Sequence, residues 1–111
     1  MEEPSRAVYT FSMIGGGAWP DRTWGYASAT WPFVRLRVGA SGVKWEPSFI
    51  RNLVVFSIPT WEASWSEVRR AEVNGDNVTF HALDGKRWSF YTLGRRGSLI
   101  QQLRLHPVEL V

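Results

Sequence analysis

The chain contains no cysteine. Disulfides and thiolate metal sites are excluded, and with them the small secreted scaffolds that depend on cross-links, so a reducing, cytoplasmic setting fits best. Apolar runs are short: none approaches the ~18 residues of a membrane-spanning helix, and Met1-Glu2-Glu3-Pro4 is acidic where a signal peptide is basic. The expectation is a chain with no transmembrane segment, placed in the cytoplasm or peripherally at the inner membrane face. Histidine is scarce too. His81 and His106 are the only two, and neither their spacing nor that of the scattered carboxylates suggests a metal site or an acid and base pair. No Gly-Lys-Ser/Thr follows Gly15-Gly16-Gly17, so the mechanism of a phosphate loop is missing. These absences point away from catalysis, metals and cofactors.

What remains is a chain of 111 residues, 44% hydrophobic and 21% charged. Those fractions suit a globular chain of one domain, and at this length folding removes roughly 65% of the unfolded surface from water. There is no internal repeat, linker or low-complexity run. A net charge of +3 is too small to mark a polyanion binder by itself, so the distribution of charge matters more than its sum. Between Lys86 and His106 stand Lys86, Arg87, Arg95, Arg96 and Arg104 without one Asp or Glu, whereas Glu62, Glu67, Glu72 and Asp76 outnumber Arg69 and Arg70 just upstream.

Strand periodicity dominates the chain. Val34, Leu36 and Val38 alternate with Arg35 and Arg37, Gly39-Ala40-Ser41-Gly42 supplies a loop of about four residues, and Val43-Lys44-Trp45-Glu46 resumes the alternation up to Pro47. Leu53 to Ile58, Trp65 to Val73, Val78 to Ala82 and Arg87 to Thr92 also read as strands, with Asn74-Gly75-Asp76-Asn77 and Asp84-Gly85 as turns. Residues 1–26 read as an irregular extension with one strand, Val8 to Ile14. The period changes at Gly97. Ser98 as N-cap, Leu99, Ile100 and Leu103 on one face and Pro107 as a stop predict a helix at about 98–106. A helix this short must dock on the sheet to persist.

The segments Thr30-Trp31-Pro32-Phe33-Val34-Arg35-Leu36-Arg37-Val38, Trp65-Ser66-Glu67-Val68 and Trp88-Ser89-Phe90-Tyr91, followed by the helix after Gly97, give an order that resembles the pleckstrin-homology-like superfold, including its bacterial and GRAM-type variants. The likeness spans residues 27–106 and is one of pattern and order. It implies a β-barrel of two orthogonal antiparallel sheets capped by the helix, mainly β with one C-terminal α-helix, and a non-catalytic binding or scaffold role. Six strands fall between residue 27 and the helix where such a barrel has seven, which leaves Val8 to Ile14 to supply the other.

Candidate binding residues follow from charge and aromaticity. Gly94-Arg95-Arg96-Gly97-Ser98 sets two guanidinium groups before a helix N-terminus, whose free N–H groups attract anions. With Lys86 and Arg87 it forms the leading anion or lipid surface; Arg35, Arg37 and Lys44 form a secondary basic hairpin. Seven tryptophans are the compositional oddity. Trp45 and Trp88 share faces with Val43 and Phe90 and read as core, while Trp19, Trp24 and Trp61 lie in turn-rich segments and read as exposed. The expected partner is a protein or an anionic lipid surface, with homo-oligomerisation through open strand edges as an addition. Two rivals use the same residues: a Trp-rich carbohydrate-binding β-domain stacking sugars on exposed indoles, and a small barrel binding single-stranded nucleic acid, which the modest charge disfavours.

Overall fold

The computed structural model describes residues 8–21, 25–48 and 58–111. Within them run seven strands, β1 (Phe11–Asp21), β2 (Gly25–Gly39), β3 (Gly42–Pro47), β4 (Trp61–Ser64), β5 (Val68–Asn74), β6 (Asn77–Ala82) and β7 (Arg87–Tyr91), then the helix α1 (Arg96–Leu103). All are antiparallel neighbours in one sheet of order β4-β3-β2-β1-β7-β6-β5. The sheet curls into a half-barrel. Its hydrogen bonds run continuously from one edge to the other, where the sequence led us to expect two sheets.

The alternation expected for Val34 to Val38 holds: Val34, Leu36 and Val38 are fully buried, and so are Val43 and Trp45 across the hairpin. Gly39 pairs with Gly42, so the turn is Ala40–Ser41 alone. Val78, Phe80 and Phe90 form the matching inner face of the other half, with Trp88 beside them. Trp65 begins a 3-10 turn, Trp65–Glu67, and β5 starts only at Val68.

The largest departure from expectation is β1. Residues read as an irregular extension form the central strand that joins the halves, pairing with β2 on one side and β7 on the other. Its three glycines explain why. A Cβ on Gly17 would sit 2.5 Å from the Ser89 carbonyl oxygen and 2.9 Å from the Trp45 ring, so only glycine lets β1 lie this close to β7 and the core. Opposite this stretch the register jumps, with Gly15 facing Val34 but Gly17 facing Ala29. Four β2 residues, Thr30 to Phe33, with a cis Trp31–Pro32 peptide among them, thus stand opposite Gly16 alone, and the odd excess reverses the parity of the strand. Odd positions Ala27 and Ala29 face the core before it, even positions Val34 and Leu36 after it.

The interior is aromatic. Trp19, expected exposed, is only 6% exposed, because β1 continues through it and brings its ring to 5.6 Å from Trp45. Trp45 meets Trp88, and Trp61 lies flat on Trp88 with ring planes 5° apart. Trp61 is therefore half-buried on the inner face rather than displayed. Burial of one such ring contributes roughly 4 to 6 kcal/mol of transfer free energy.

Helix α1 starts two residues earlier than its sequence signal. The chain turns through Leu93 and Gly94, both at positive φ, and Arg95 takes the N-cap position without a side-chain cap. Ser98 falls inside the first turn, exposed. Leu99 and Leu103 are fully buried and dock the helix. Buried Thr92 anchors its approach: both its N–H and its hydroxyl donate to the Asp76 carbonyl, at 2.8 and 3.1 Å. His106 stacks on Trp65 at 5.1 Å and fixes the segment after α1.

Candidate functional site

The outer face of the β5-β6-β7 half is polar. Strand register lays its side chains in rows: Glu72 opposite Thr79, Thr79 opposite Ser89, Ser89 opposite Ala18, and Ala18 opposite Ser28. A neighbouring row is Arg70, His81 and Arg87, and another is Asn74, Asn77 and Tyr91. Small side chains along the first row sit between longer ones, leaving a cleft of about 310 Å³ lined by Ala18, Thr79 and Ser89 together with Tyr26, Arg87, His81, Glu72, Asn74 and Asn77.

Its groups are held in place by one another. Arg87 Nε donates to the Tyr26 hydroxyl at 3.0 Å, and the guanidinium carbon lies 4.8 Å from the Tyr26 ring centroid. That contact combines a hydrogen bond with a cation–π attraction and orients the guanidinium. Arg87 has no carboxylate partner among the described residues, so its terminal N–H groups are available to a ligand. His81 Nε2 lies 2.8 Å from Glu72 Oε1, and the Thr79 and Ser89 hydroxyls are 2.8 Å apart. Neither hydroxyl is hydrogen-bonded to the imidazole, so no nucleophile and base pair is assembled. The arrangement offers hydrogen-bond donors and acceptors around a concavity.

The other candidates are dispersed. Arg95 Nη2 donates to the Ile14 carbonyl at 2.9 Å and Arg96 Nη1 to the Gly75 carbonyl at 2.9 Å. Both side chains clamp the start of α1 onto the barrel instead of converging on its N-terminus. Gly97 and Ser98 are exposed beside them. In the basic hairpin, Glu46 takes Arg37 at 2.6 Å and Lys44 at 3.6 Å, which offsets one of their two charges; Arg35 sits in register with the same Glu46. Lys86 is exposed, its N–H turned to Asp84 Oδ1 at 2.9 Å. Trp24 and most of the expected Leu53 to Ile58 strand lie outside the described residues.

Sequence reasoning found Arg87 but missed its setting, because Tyr26, Glu72, His81 and Ser89 meet only through the register of five strands. It also missed Trp31, which is 54% exposed at the point where β2 changes parity. Among the described residues there is no cluster of metal-binding side chains, and no helix is long and apolar enough to cross a membrane. No protein-family model, curated protein or solved structure matches this chain.

Proposed function

We propose that this chain is a non-catalytic binding module of the pleckstrin-homology-like superfold that takes an anionic group of a protein partner into the Arg87 cleft. The strand order supports the fold reading: β4-β3-β2-β1 and β7-β6-β5 are two meanders that meet at the glycine-rich stretch of β1 and are followed by one helix, as two orthogonal sheets with a capping helix would be. The oriented, carboxylate-free guanidinium of Arg87 above a cleft of hydrogen-bonding side chains is the observation that carries the function.

A protein partner is favoured over a membrane on magnitude. Each well-placed basic side chain contributes about 1 kcal/mol at an anionic surface, and even millimolar affinity needs about 4 kcal/mol. Arg37 and Lys44 share Glu46, and Arg95 and Arg96 keep their charge but are each tied to a backbone carbonyl. Vesicle binding through them with Lys86 and Arg87 would therefore reach about 4 kcal/mol at most, millimolar affinity before salt screening. Trp19 is turned inward and Trp61 lies flat on Trp88, which weakens a carbohydrate reading at two of the three indoles it relied on.

The test is an amide-resolved NMR titration with O-phosphoserine, beside sedimentation with anionic and neutral liposomes. Shifts confined to Thr79, His81, Arg87 and Ser89, lost in Arg87→Ala and kept in the Arg95→Gln/Arg96→Gln variant, support the reading. Shifts centred on the start of α1, or salt-sensitive binding to anionic vesicles that survives Arg87→Ala, overturn it.

A further inference from the structure

Strand register makes the Arg87 cleft a trough that runs across the strands instead of along them. Its floor is one cross-strand row of short side chains, Thr79, Ser89 and Ala18. One flank is the row of His81 and Arg87, with Tyr26 joined to Arg87 by the 3.0 Å hydrogen bond; the other flank is Asn74 and Asn77. Glu72 continues the floor row onto β5 and stands at that end of the trough. Arg87 on β7 and Glu72 on β5 are two strands apart, about 9 to 10 Å across the sheet. We propose, on the reading of Arg87 as the anion site, that the trough takes an extended segment of a partner protein carrying an anionic and a basic side chain three residues apart. The anion meets Arg87 and the cation meets Glu72.

Glu72 gives the trough its second sign of charge. His81 Nε2 engages Oε1 at 2.8 Å, and the Glu72 side chain keeps 48% of its surface exposed. Arg70, on the same face two residues away, forms no ion pair with it among the described residues. An ionised carboxylate accepts about four hydrogen bonds, so Glu72 has capacity for a ligand cation beside the imidazole. A ligand bearing negative charge alone meets Glu72 as a like charge at the end of the floor. A basic group at that position turns the repulsion into an attraction, so the pair of charges selects for a segment of mixed sign.

The direction of the trough sets the conformation of its occupant. A chain crossing the strands cannot join their ladder, so its main-chain groups must turn to side chains or water. The Asn74 and Asn77 amides supply donors for its carbonyls from one flank. Polyproline II is the extended form that needs no ladder, with three residues per turn and a rise of about 3.1 Å per residue. Residues three apart then share a face at a separation of about 9.3 Å, which matches the step from Arg87 to Glu72. Neighbours one or two apart span only about 3 or 6 Å and turn to other faces.

The test is an NMR titration of the full chain with four unlabelled, end-blocked peptides built around phosphoserine (pSer): pSer-Ala-Ala-Lys, its reverse Lys-Ala-Ala-pSer, pSer-Lys-Ala-Ala and pSer-Ala-Ala-Ala. One of the two peptides with the three-residue spacing, according to the chain direction that the trough accepts, should bind about fivefold more tightly than pSer-Ala-Ala-Ala. The peptide with adjacent charges has the same composition and should bind as pSer-Ala-Ala-Ala does. In Glu72→Gln, which keeps an acceptor for His81, the gain from lysine should vanish while pSer-Ala-Ala-Ala still binds. The proposal is overturned if neither spaced peptide gains, if adjacent charges gain as much, or if the gain persists in Glu72→Gln. Failure of the anion site has a different signature: pSer-Ala-Ala-Ala then does not bind, or binds Arg87→Ala as well as the wild type, and the proposal falls with it.

Discussion

Trp45 meets Trp88 edge to face, with ring centroids 5.2 Å apart and planes at 62°, yet the two indole N–H groups meet different ends. Trp45 Nε1 donates to the Ser89 carbonyl at 2.8 Å, whereas Trp88 Nε1 is buried without a hydrogen-bond partner among the described residues. Exchange for phenylalanine removes a similar volume at either position. At Trp45 it also breaks a hydrogen bond; at Trp88 it removes a donor that already costs stability. Trp45→Phe should therefore lower stability by about 1 to 2 kcal/mol more than Trp88→Phe does, as read from urea denaturation midpoints. Equal losses would mean that the Trp45 bond contributes nothing.

The parts of the fold that were legible in the sequence are those where one strand decides its own pattern. Val34 to Val38, Val43 to Trp45 and the Asn74 to Asn77 turn needed only period two and turn chemistry. β1 was legible only as far as Ile14, within the expected strand Val8 to Ile14; its continuation to Asp21 stayed hidden because its glycines answer to Phe90 and Trp45, residues far along the chain. Of β2 only Val34 to Val38 was legible, because the bulge before it shifts parity, and β4 has just four residues, too few to show a period. The Arg87 cleft was illegible for a related reason. Arg87 and Tyr26 are neighbours only after β1, β2 and β7 are in register.

Two glycines should respond oppositely to a methyl group. At Gly17 the new Cβ meets the Ser89 carbonyl oxygen at 2.5 Å and the Trp45 ring at 2.9 Å, and the backbone atom cannot swing aside. Gly17→Ala should cost about 2 kcal/mol or more, by parting β1 from β7. Gly97 lies in α1 with nothing within 4 Å of a Cβ. There alanine lowers the entropy of the unfolded chain and favours the helix, so Gly97→Ala should gain about 0.5 to 1 kcal/mol. Thermal midpoints of the two variants should fall on opposite sides of the wild type.

Alkaline stability should report on Tyr9. Burial, the hydrogen bond to Glu62 and the charges of Glu62 and Glu46 raise the phenol's pKa well above its ordinary 10.0, against a smaller opposing effect of Arg37. A group whose folded pKa is raised contributes stability that is complete below the unfolded pKa and is lost as the pH climbs through the folded one. Wild type should thus lose stability above about pH 10, and Tyr9→Phe should lose less over the same interval. Denaturation midpoints at about pH 8.5 and 11 would show it. Parallel losses in the two proteins would mean that ionisation of Tyr9 is not opposed by folding.

The β5 edge depends on the last four residues. Three main-chain bonds, from Ala71 to Glu109, Val73 to Val111 and Val111 back to Ala71, lay this segment parallel to β5, and Val108 and Leu110 pack against the core. At about 1 kcal/mol per bond, with some apolar burial added, removing Val108–Val111 should cost about 3 to 5 kcal/mol. It should also leave the Ala71 and Val73 amides facing solvent on an open edge, so their exchange protection should fall and concentration-dependent association should appear. Protection that outlasts the truncation would mean that β5 is shielded by something other than the tail. Loss of protection without association would mean that charged side chains on this strand, exposed Arg69 and Glu72 among them, already guard the edge.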